Sequence, residues 1–311
     1  MTGIKIILNP ECAMGTGIEA VPELEKAAAA NNLDINIVLT ERPGHAIELA
    51  KQAAQEGWDV AAAAGGDGTL NEVLNGLMQA KAEGFHNTTL AAIPIGRGND
   101  FAYGMNIPAG VDEACRTLAA GWRRKIDIGL VKGGFYPEGR YFGNGVGVGF
   151  DAVVGFEAAK MKRLTGLVSY LVAALKTIFL YYKAPLVNLV YQDRQTNLRA
   201  LMVSVMNGRR MGGSFYMAPE ASSEDGLLDL CIAPEVNRAR LFALISHFMK
   251  GSQASQPEIL TAQTPSLTIT AEDGALPAHA DGETLCTEGQ QLEITILPQQ
   301  LNLICSQEKN A

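Results

Sequence analysis

Apolar and polar positions along the first 127 residues follow two periods in turn. "IKIILN" (Ile4–Asn9), "INIVLT" (Ile35–Thr40), "DVAAAA" (Asp59–Ala64) and "TLAAIPIG" (Thr89–Gly96) are short apolar runs that predict buried strands. Between them, apolar residues fall at helical spacing. One such stretch lies around Ile18 to Asn31. A second is "GHAIELAKQAAQEG", with Ile47, Leu49, Ala50, Ala53 and Ala54 on its stripe, and a third follows Thr69 with Leu70, Val73, Leu74 and Leu77. This alternation predicts an α/β unit over residues 1–127, with a mainly parallel sheet and helices on both faces. Sheets of this kind bind ligands outside the carboxyl ends of their strands.

After Asp127 the pattern shifts to short runs separated by turn residues: "YFGNGVGVGF", "LVNLVY", "LRALMVSVMN", "LLDLCIA", "SLTITA" and "LEITIL". They predict an all-β second unit over residues 128–311, an antiparallel β-sandwich. A helical insert is expected near 154–183 and another helix near Arg238 to Gly251. The insert contains the longest apolar stretch, Leu164 to Tyr182, which Lys176 interrupts. A buried helix or the cover of an apolar channel suits it better than a membrane span.

The first unit contains a turn of unusual composition. "VAAAAGGDGTLNEVLNGLM" passes from a strand through Gly65-Gly66-Asp67-Gly68 directly into a helix. Strand, glycine turn and helix together present free backbone N–H groups to a phosphate. Neither GxxxxGK[ST] nor an opening GxGxxG is present. Asp67 would repel phosphates unless Mg²⁺ lies between them or a proton is removed there, so a nucleoside triphosphate with metal suits the turn better than a dinucleotide. Thr69 is placed to cap the helix. Two further strand-end loops, "NPECAMGTG" (Asn9–Gly17) and "IPIGRGNDFA" (Ile93–Ala102), are predicted to line the same sheet edge. In the second unit "MAPEASSEDGLLDL" and "HADGETL" each set acids beside a glycine. Asp281-Gly282-Glu283 is either a plain hairpin turn or a pair of carboxylates for general-base work.

The bulk properties narrow the partners. A net charge of −8 over 311 residues opposes a nucleic-acid ligand, and it favours transient membrane contact over stable anchoring. Five cysteines without CxxC spacing suggest neither a disulfide framework nor a zinc site, which fits a reducing cytoplasm.

Taken in order, these motifs resemble the diacylglycerol, sphingosine and ceramide kinase superfamily, distantly related to NAD kinases and phosphofructokinases. "GGDGTLNEVLNGL" is similar to its nucleotide loop and "ERPGHAIELA" to its T-x-x-x-G-H-A segment. "PIGRGNDFA", "GNGVGVGFDAVV", the "VMNGRRMGGSFYMAPEASSEDGLLD" block and "DGE" resemble its later motifs. The likeness to soluble bacterial lipid kinases runs over almost the whole chain.

The resemblance implies a Rossmann-like (NAD kinase/phosphofructokinase-like) domain and a β-sandwich, with the active site in the cleft between them. It implies ATP as co-substrate, Mg²⁺, and transfer of the γ-phosphate to a hydroxyl of a lipid such as diacylglycerol. By position, Asn9, Thr40, Gly65, Gly66, Asp67, Gly68, Thr69, Asn71 and Arg97 would bind ATP. Asp281 or Glu283 would take the acceptor proton, with Asp67 orienting Mg²⁺ or its waters. A structural metal would lie on the Asp225 side chain and the main-chain oxygens of Ser222 and Leu227. The setting implied is cytoplasmic and peripheral to the inner membrane, with a homodimer among the forms relatives take. Arg97 stands where the family has Thr, and either clamps phosphate oxygens or points to solvent. The first loop is longer than the family's. These departures keep open a non-catalytic nucleotide- or lipid-binding sensor of the same fold, and the GGDG turn keeps open an NAD kinase-like enzyme. Arg209, Arg210, Lys160, Lys162 and Arg163 are candidate contacts to anionic headgroups.

Overall fold

A computed structural model describes residues 3–96, 98–160, 176 and 184–307. The chain forms two compact units, Met1–Asp127 with Gln299–Ala311, and Ile128–Pro298. In the first unit the order is β1 (Ile4–Leu8), a short irregular turn α1 (Cys12–Gly15), α2 (Val21–Ala30), β2 (Ile35–Leu39) and α3 (His45–Gln55). Next come β3 (Val60–Gly65), α4 (Asp67–Ala82), β4 (Thr89–Pro94), α5 (Asp100–Gly104) and α6 (Val111–Ala120).

The sheet of this unit runs β2-β1-β3-β4, all parallel, with Ile4 beside both Ile35 and Val60 and Val60 beside Thr89. Strands buried on both faces read as continuous apolar runs, and the alanines of β3 let helices approach from either side. Ile4, Ile6, Leu8, Ala62 and Ile93 pack on one face with Leu24 of α2 and Val111, Ala114 and Leu118 of α6. Elsewhere in the unit α3 and α4 pack together so closely that a Cβ on Gly76 would lie 2.3 Å from the Ile47 carbonyl oxygen. Glycine at 76 is what permits that spacing.

The chain enters the second unit within β5 (Arg123–Gly133) and continues through β6 (Tyr136–Phe142), β7 (Gly145–Gly149), α7 (Phe150–Ala159), β8 (Leu186–Tyr191) and β9 (Arg194–Met206). β10 (Leu228–Pro234), the helix Arg238–Lys250, β11 (Leu260–Thr264), β12 (Ser266–Asp273), β13 (Leu276–Ala280), β14 (Glu283–Gly289) and β15 (Gln291–Ile304) complete it. The strand pairs of the sandwich are antiparallel, as the alternating pattern predicts. β9 belongs to both of its layers: Arg194–Arg199 pair with β8, and Met202–Met206 pair with β7 and β10. Val146, Val148, Val203, Val205, Leu267 and Ile294 are part of the core between the layers.

One boundary differs from the sequence pattern. The end of β15 leaves the sandwich: Leu303 lies beside Leu90 in parallel, and the Gln299 N–H donates to Asp127 Oδ1 at 2.7 Å. Residues 299–307 therefore pack with the first unit, not with 128–298. The expected insert is described as α7 and Lys176; the rest of Leu164–Tyr182, with Lys162, Arg163 and Arg97, lies outside the described residues. Among the described residues no helix is long and apolar enough to cross a membrane.

Candidate functional site

From β1 the chain steps to β2 on one side, and β3 then takes the other side of β1. The loops after β1 and β3 part at this switch point, where parallel sheets open a crevice. Asn9 bridges it. Its Nδ2 donates to Thr69 Oγ1 at 3.2 Å, while its Oδ1 accepts the Glu11 N–H at 2.9 Å.

The glycine turn occupies the carboxyl end of β3. Gly66 is extended, at φ −101 and ψ −168, and α4 begins at Asp67. Thr69 therefore stands inside the first helical turn and is not the cap its sequence position suggested. Its buried hydroxyl packs on Gly65, where a Cβ would come within 2.4 Å of Oγ1. The N–H groups that open a helix have no acceptor within it. Aligned with the helix dipole, such groups at the end of the sheet are suited to an anion.

The loop after β4 closes against this turn. A Cβ on Gly96 would fall 2.3 Å from Gly66 Cα, so the two loops touch backbone to backbone. The Gly96 N–H donates to the Gly65 carbonyl at 3.1 Å. Asp67 crosses to the same loop, with Oδ1 accepting the Phe101 N–H at 3.1 Å. A small recess is lined by Gly65, Gly66, Asp67, Leu70, Pro94 and Asn99. Backbone donors with one carboxylate among them suit a polyphosphate accompanied by a cation.

Thr40 and Asn71 are further expected nucleotide contacts. Thr40 follows β2, half-buried, and its N–H donates to the Leu8 carbonyl at 2.9 Å. Asn71 is fully buried inside α4, and its Oδ1 accepts from Asn75 Nδ2 at 3.1 Å. Glu72 was not singled out as a site residue, yet it ties two motifs together. Its carboxylate accepts the Gly44 and Ala46 N–H groups at 2.8 and 3.1 Å, so it caps α3 from another helix. The available signal was the "GHA" segment itself, where Gly44 takes φ +82 to open α3.

In the second unit, Asp281 and Gly282 form a two-residue hairpin turn with φ +48 and +88, and Ala280 pairs with Glu283. Both central residues at positive φ are what an Asp-Gly hairpin provides. The Asp281 carboxylate turns back onto the start of β7. It accepts the Gly143 N–H at 2.7 Å, the Asn144 N–H at 3.0 Å and the Gly145 N–H at 2.9 Å. Asn207 braces the same segment, with Nδ2 donating to the Gly143 carbonyl at 2.7 Å. Asp281 is thus an anchor, whereas Glu283 opens β14 half-buried.

The "SSEDGLLD" turn contains Ser222, Asp225 and Leu227, the residues expected to hold a metal. Asp225 is exposed, and its Oδ1 accepts the Leu227 N–H at 3.0 Å. Asp229 Oδ2 is buried with no hydrogen-bond partner among the described residues. Burial, and to a lesser degree the charge of Asp225, push the Asp229 carboxyl up to about 6. Two acids, one of them short of a donor, fit a hard cation held mainly by oxygen. Among the described residues no group of three or more His, Cys, Asp or Glu side chains could hold a metal; the expected set has one such side chain and two main-chain oxygens. Of the candidate headgroup cations, Lys160 pairs with Glu157 at 2.7 Å and Arg209 Nε donates to the Ala221 carbonyl at 3.3 Å.

Residues 3–131 match the family described as "Diacylglycerol kinase catalytic domain", and residues 144–305 match "YegS C-terminal NAD kinase beta sandwich-like domain". A diacylglycerol kinase from Staphylococcus epidermidis is 29% identical over 284 residues, covering 90% of this chain and 85% of its own. A protein named "Probable lipid kinase YegS-like" from Chromohalobacter salexigens is 30% identical over 286 residues, covering 89% of this chain and 86% of its own. In fold, the chain is similar to a crystal structure of a diacylglycerol kinase from Bacillus anthracis (TM-score 0.75, 21% identity, 98% and 97% of the two chains). It is also similar to an NAD kinase from Archaeoglobus fulgidus in complex with ATP (TM-score 0.53, 11% identity, 98% and 94%). Both units match in order along one chain, and the chain belongs to the family of YegS-like lipid kinases.

Proposed function

We propose that this protein is an ATP- and Mg²⁺-dependent kinase that transfers the γ-phosphate to a hydroxyl of a lipid such as diacylglycerol. The observation that carries the reading is the turn at Gly65–Gly68, held at the switch point by Asn9 and against the next loop by Gly96 and Asp67.

In phosphoryl transfer the protein mainly positions groups and neutralises charge. The N–H groups at the start of α4 hold the phosphates, with Asn9 and Thr69 fixing the turn beneath them. Mg²⁺ supplies charge neutralisation for the phosphate oxygens, and Asp67 is the carboxylate that would hold it or its waters. In the second unit Glu283 takes the proton of the acceptor hydroxyl, because the Asp281 oxygens already accept from backbone. An alcohol is a weak acid, so that proton leaves as transfer proceeds. A second Mg²⁺ would sit on Asp225 with the main-chain oxygens of Ser222 and Leu227, where it would stiffen the turn.

ADP release, measured with Mg²⁺ and ATP on adding diacylglycerol in mixed micelles, tests the reading. Turnover that requires the lipid supports it. Turnover driven by NAD overturns it in favour of an NAD kinase, and ATP binding without turnover in any lipid overturns it in favour of a sensor.

A further inference from the structure

Gly147 of β7 leaves a space that two side chains share. A Cβ built there would lie 2.5 Å from Asp151 Oδ2 and 2.6 Å from His279 Nε2. Those two atoms, from α7 and β13, are therefore no more than about 5 Å apart, and both residues are buried. His279 pairs with Gly147 across the β7–β13 ladder, which sets its ring over the missing side chain.

The ring has a defined orientation. Its Nδ1 accepts the Gly282 N–H at 3.3 Å. A neutral imidazole that accepts at Nδ1 carries its proton on Nε2. That Nε2–H faces the recess shared with Asp151. The Asp151 carboxyl is fixed in turn, accepting the Ala152 N–H at 2.8 Å and the Ser204 hydroxyl at 3.0 Å. Cys231 of β10 lies near enough for Asp151 to affect its thiol.

The Asp281-Gly282 turn is thus gripped from two directions. The Asp281 carboxylate holds it to residues 143–145, and the His279 ring holds its second residue. Gly282 is exposed, and nothing lies within 4 Å of where its Cβ would be. Glu283 is the next residue along the chain, so a shift of the Asp281–Gly282 peptide, whose N–H the ring holds, would carry Glu283 with it.

We propose that His279 is a positioning residue for phosphoryl transfer: by accepting the Gly282 N–H through Nδ1, it fixes the direction in which Glu283 is presented. The inference rests on the reading of Glu283 as the acceptor-side base. Across Gly147 the ring meets Asp151 of α7, which is bonded to Ser204 of β9 and lies near Cys231 of β10, and Asp281 and Glu283 belong to the ring's own hairpin.

The test measures kcat and KM on the full chain with ATP and diacylglycerol in mixed micelles, for His279→Asn, His279→Gln and His279→Leu beside Glu283→Gln. Asparagine places an oxygen near Nδ1, and glutamine places its polar atoms near Nε2. We expect His279→Asn to keep kcat within about threefold, because an acceptor for the Gly282 N–H is retained in place. His279→Gln and His279→Leu lose about 10-fold or more in kcat, with KM for ATP unchanged. Exchange of the Gly282 amide, followed by NMR, quickens in the Gln and Leu variants alone. Equal activity in the Asn and Gln variants, or losses that follow thermal stability or KM, overturn the proposal. A normal kcat in Glu283→Gln would instead remove the base assignment, and the proposal with it. An inactive Glu283→Gln beside a fully active His279→Gln would overturn the positioning role alone.

Discussion

Asp281 Oδ1 accepts the Asn144 main-chain N–H at 3.0 Å, joining the turn before β14 to the start of β7 across 137 residues of chain. With Gly143 and Gly145 also donating, the carboxylate completes backbone hydrogen bonds that burial would leave open. The two acids of one short motif thereby divide their work. Asp281 fixes the hairpin, and in the proposed mechanism Glu283 serves the acceptor.

That division predicts opposite phenotypes. Asp281→Ala leaves buried N–H groups without acceptors, at about 1–3 kcal/mol each, and should lower the urea midpoint clearly. Glu283→Gln should unfold like the wild type while kcat falls by about 10² to 10⁴, the usual range for a general base. Urea denaturation and turnover measured on both variants check this; equal stability loss in the two would contradict it.

Glu72 gives a second stability prediction. Its carboxylate accepts two N–H groups at the start of α3, where a negative charge also meets the helix dipole. Glu72→Ala should cost about 1–3 kcal/mol in denaturant titration. Glu72→Gln, which keeps an acceptor, should cost less.

Gly96→Ala tests the contact of the two loops. A methyl group 2.3 Å from Gly66 Cα cannot be accommodated without parting them. Because the loops frame the phosphate turn, ATP affinity by calorimetry should fall about 10-fold or more, the equivalent of about 1.4 kcal/mol. Unchanged affinity would separate the β4 loop from nucleotide binding.

The buried pair Asp151 and His279 should be visible in stability against pH. Burial pushes the Asp151 carboxyl from 3.8 up to about 7, despite its hydrogen bonds. Between those values the folded state holds more protons, so this group's contribution falls as pH rises and levels off above about 7. Burial lowers His279 from 6.5 to about 4. Between about 4 and 6.5 the unfolded state holds more protons, so this contribution rises with pH. The two slopes oppose each other. Relative to wild type, Asp151→Asn should therefore gain stability as pH rises from about 4 to 7, and His279→Asn should lose it from about 4 to 6.5. Denaturant titrations at a series of pH values check both signs.

The turn at Asp225 predicts a metal-linked stability. A cation bound to the folded chain raises its melting temperature by mass action, so EDTA should lower Tm of the wild type and leave Asp225→Ala unmoved. An equal EDTA effect on both would place the metal elsewhere.

Much of this architecture was legible in the pattern of apolar residues. β1 to β4 and the helices between them show distinct periods, and the Gly-Gly-Asp-Gly turn is conspicuous because few backbones need that composition. The return of β15 to the first unit was not legible. "LEITIL" alternates like any sandwich strand, and nothing local signals that residues after 298 pack beside β4. Asn71 was read as a nucleotide contact from its place beside the turn; that it is fully buried was not legible. Asp281 and Glu283 could not be told apart by spacing either. Their roles diverge through backbone donors that lie 136 or more residues away in the chain. His279 and Asp151 were invisible for the same reason: only the β7–β13 pairing brings them to one glycine.

The most direct test of the account is transfer of labelled γ-phosphate from ATP, with Mg²⁺, into a total lipid extract in mixed micelles, with Asp67→Ala and Glu283→Gln run beside the wild type. The account predicts an organic-phase product formed by the wild type and lost in both variants, its mobility naming the lipid. Label no greater in the wild type than in the variants, from a protein that still binds ATP, would contradict it.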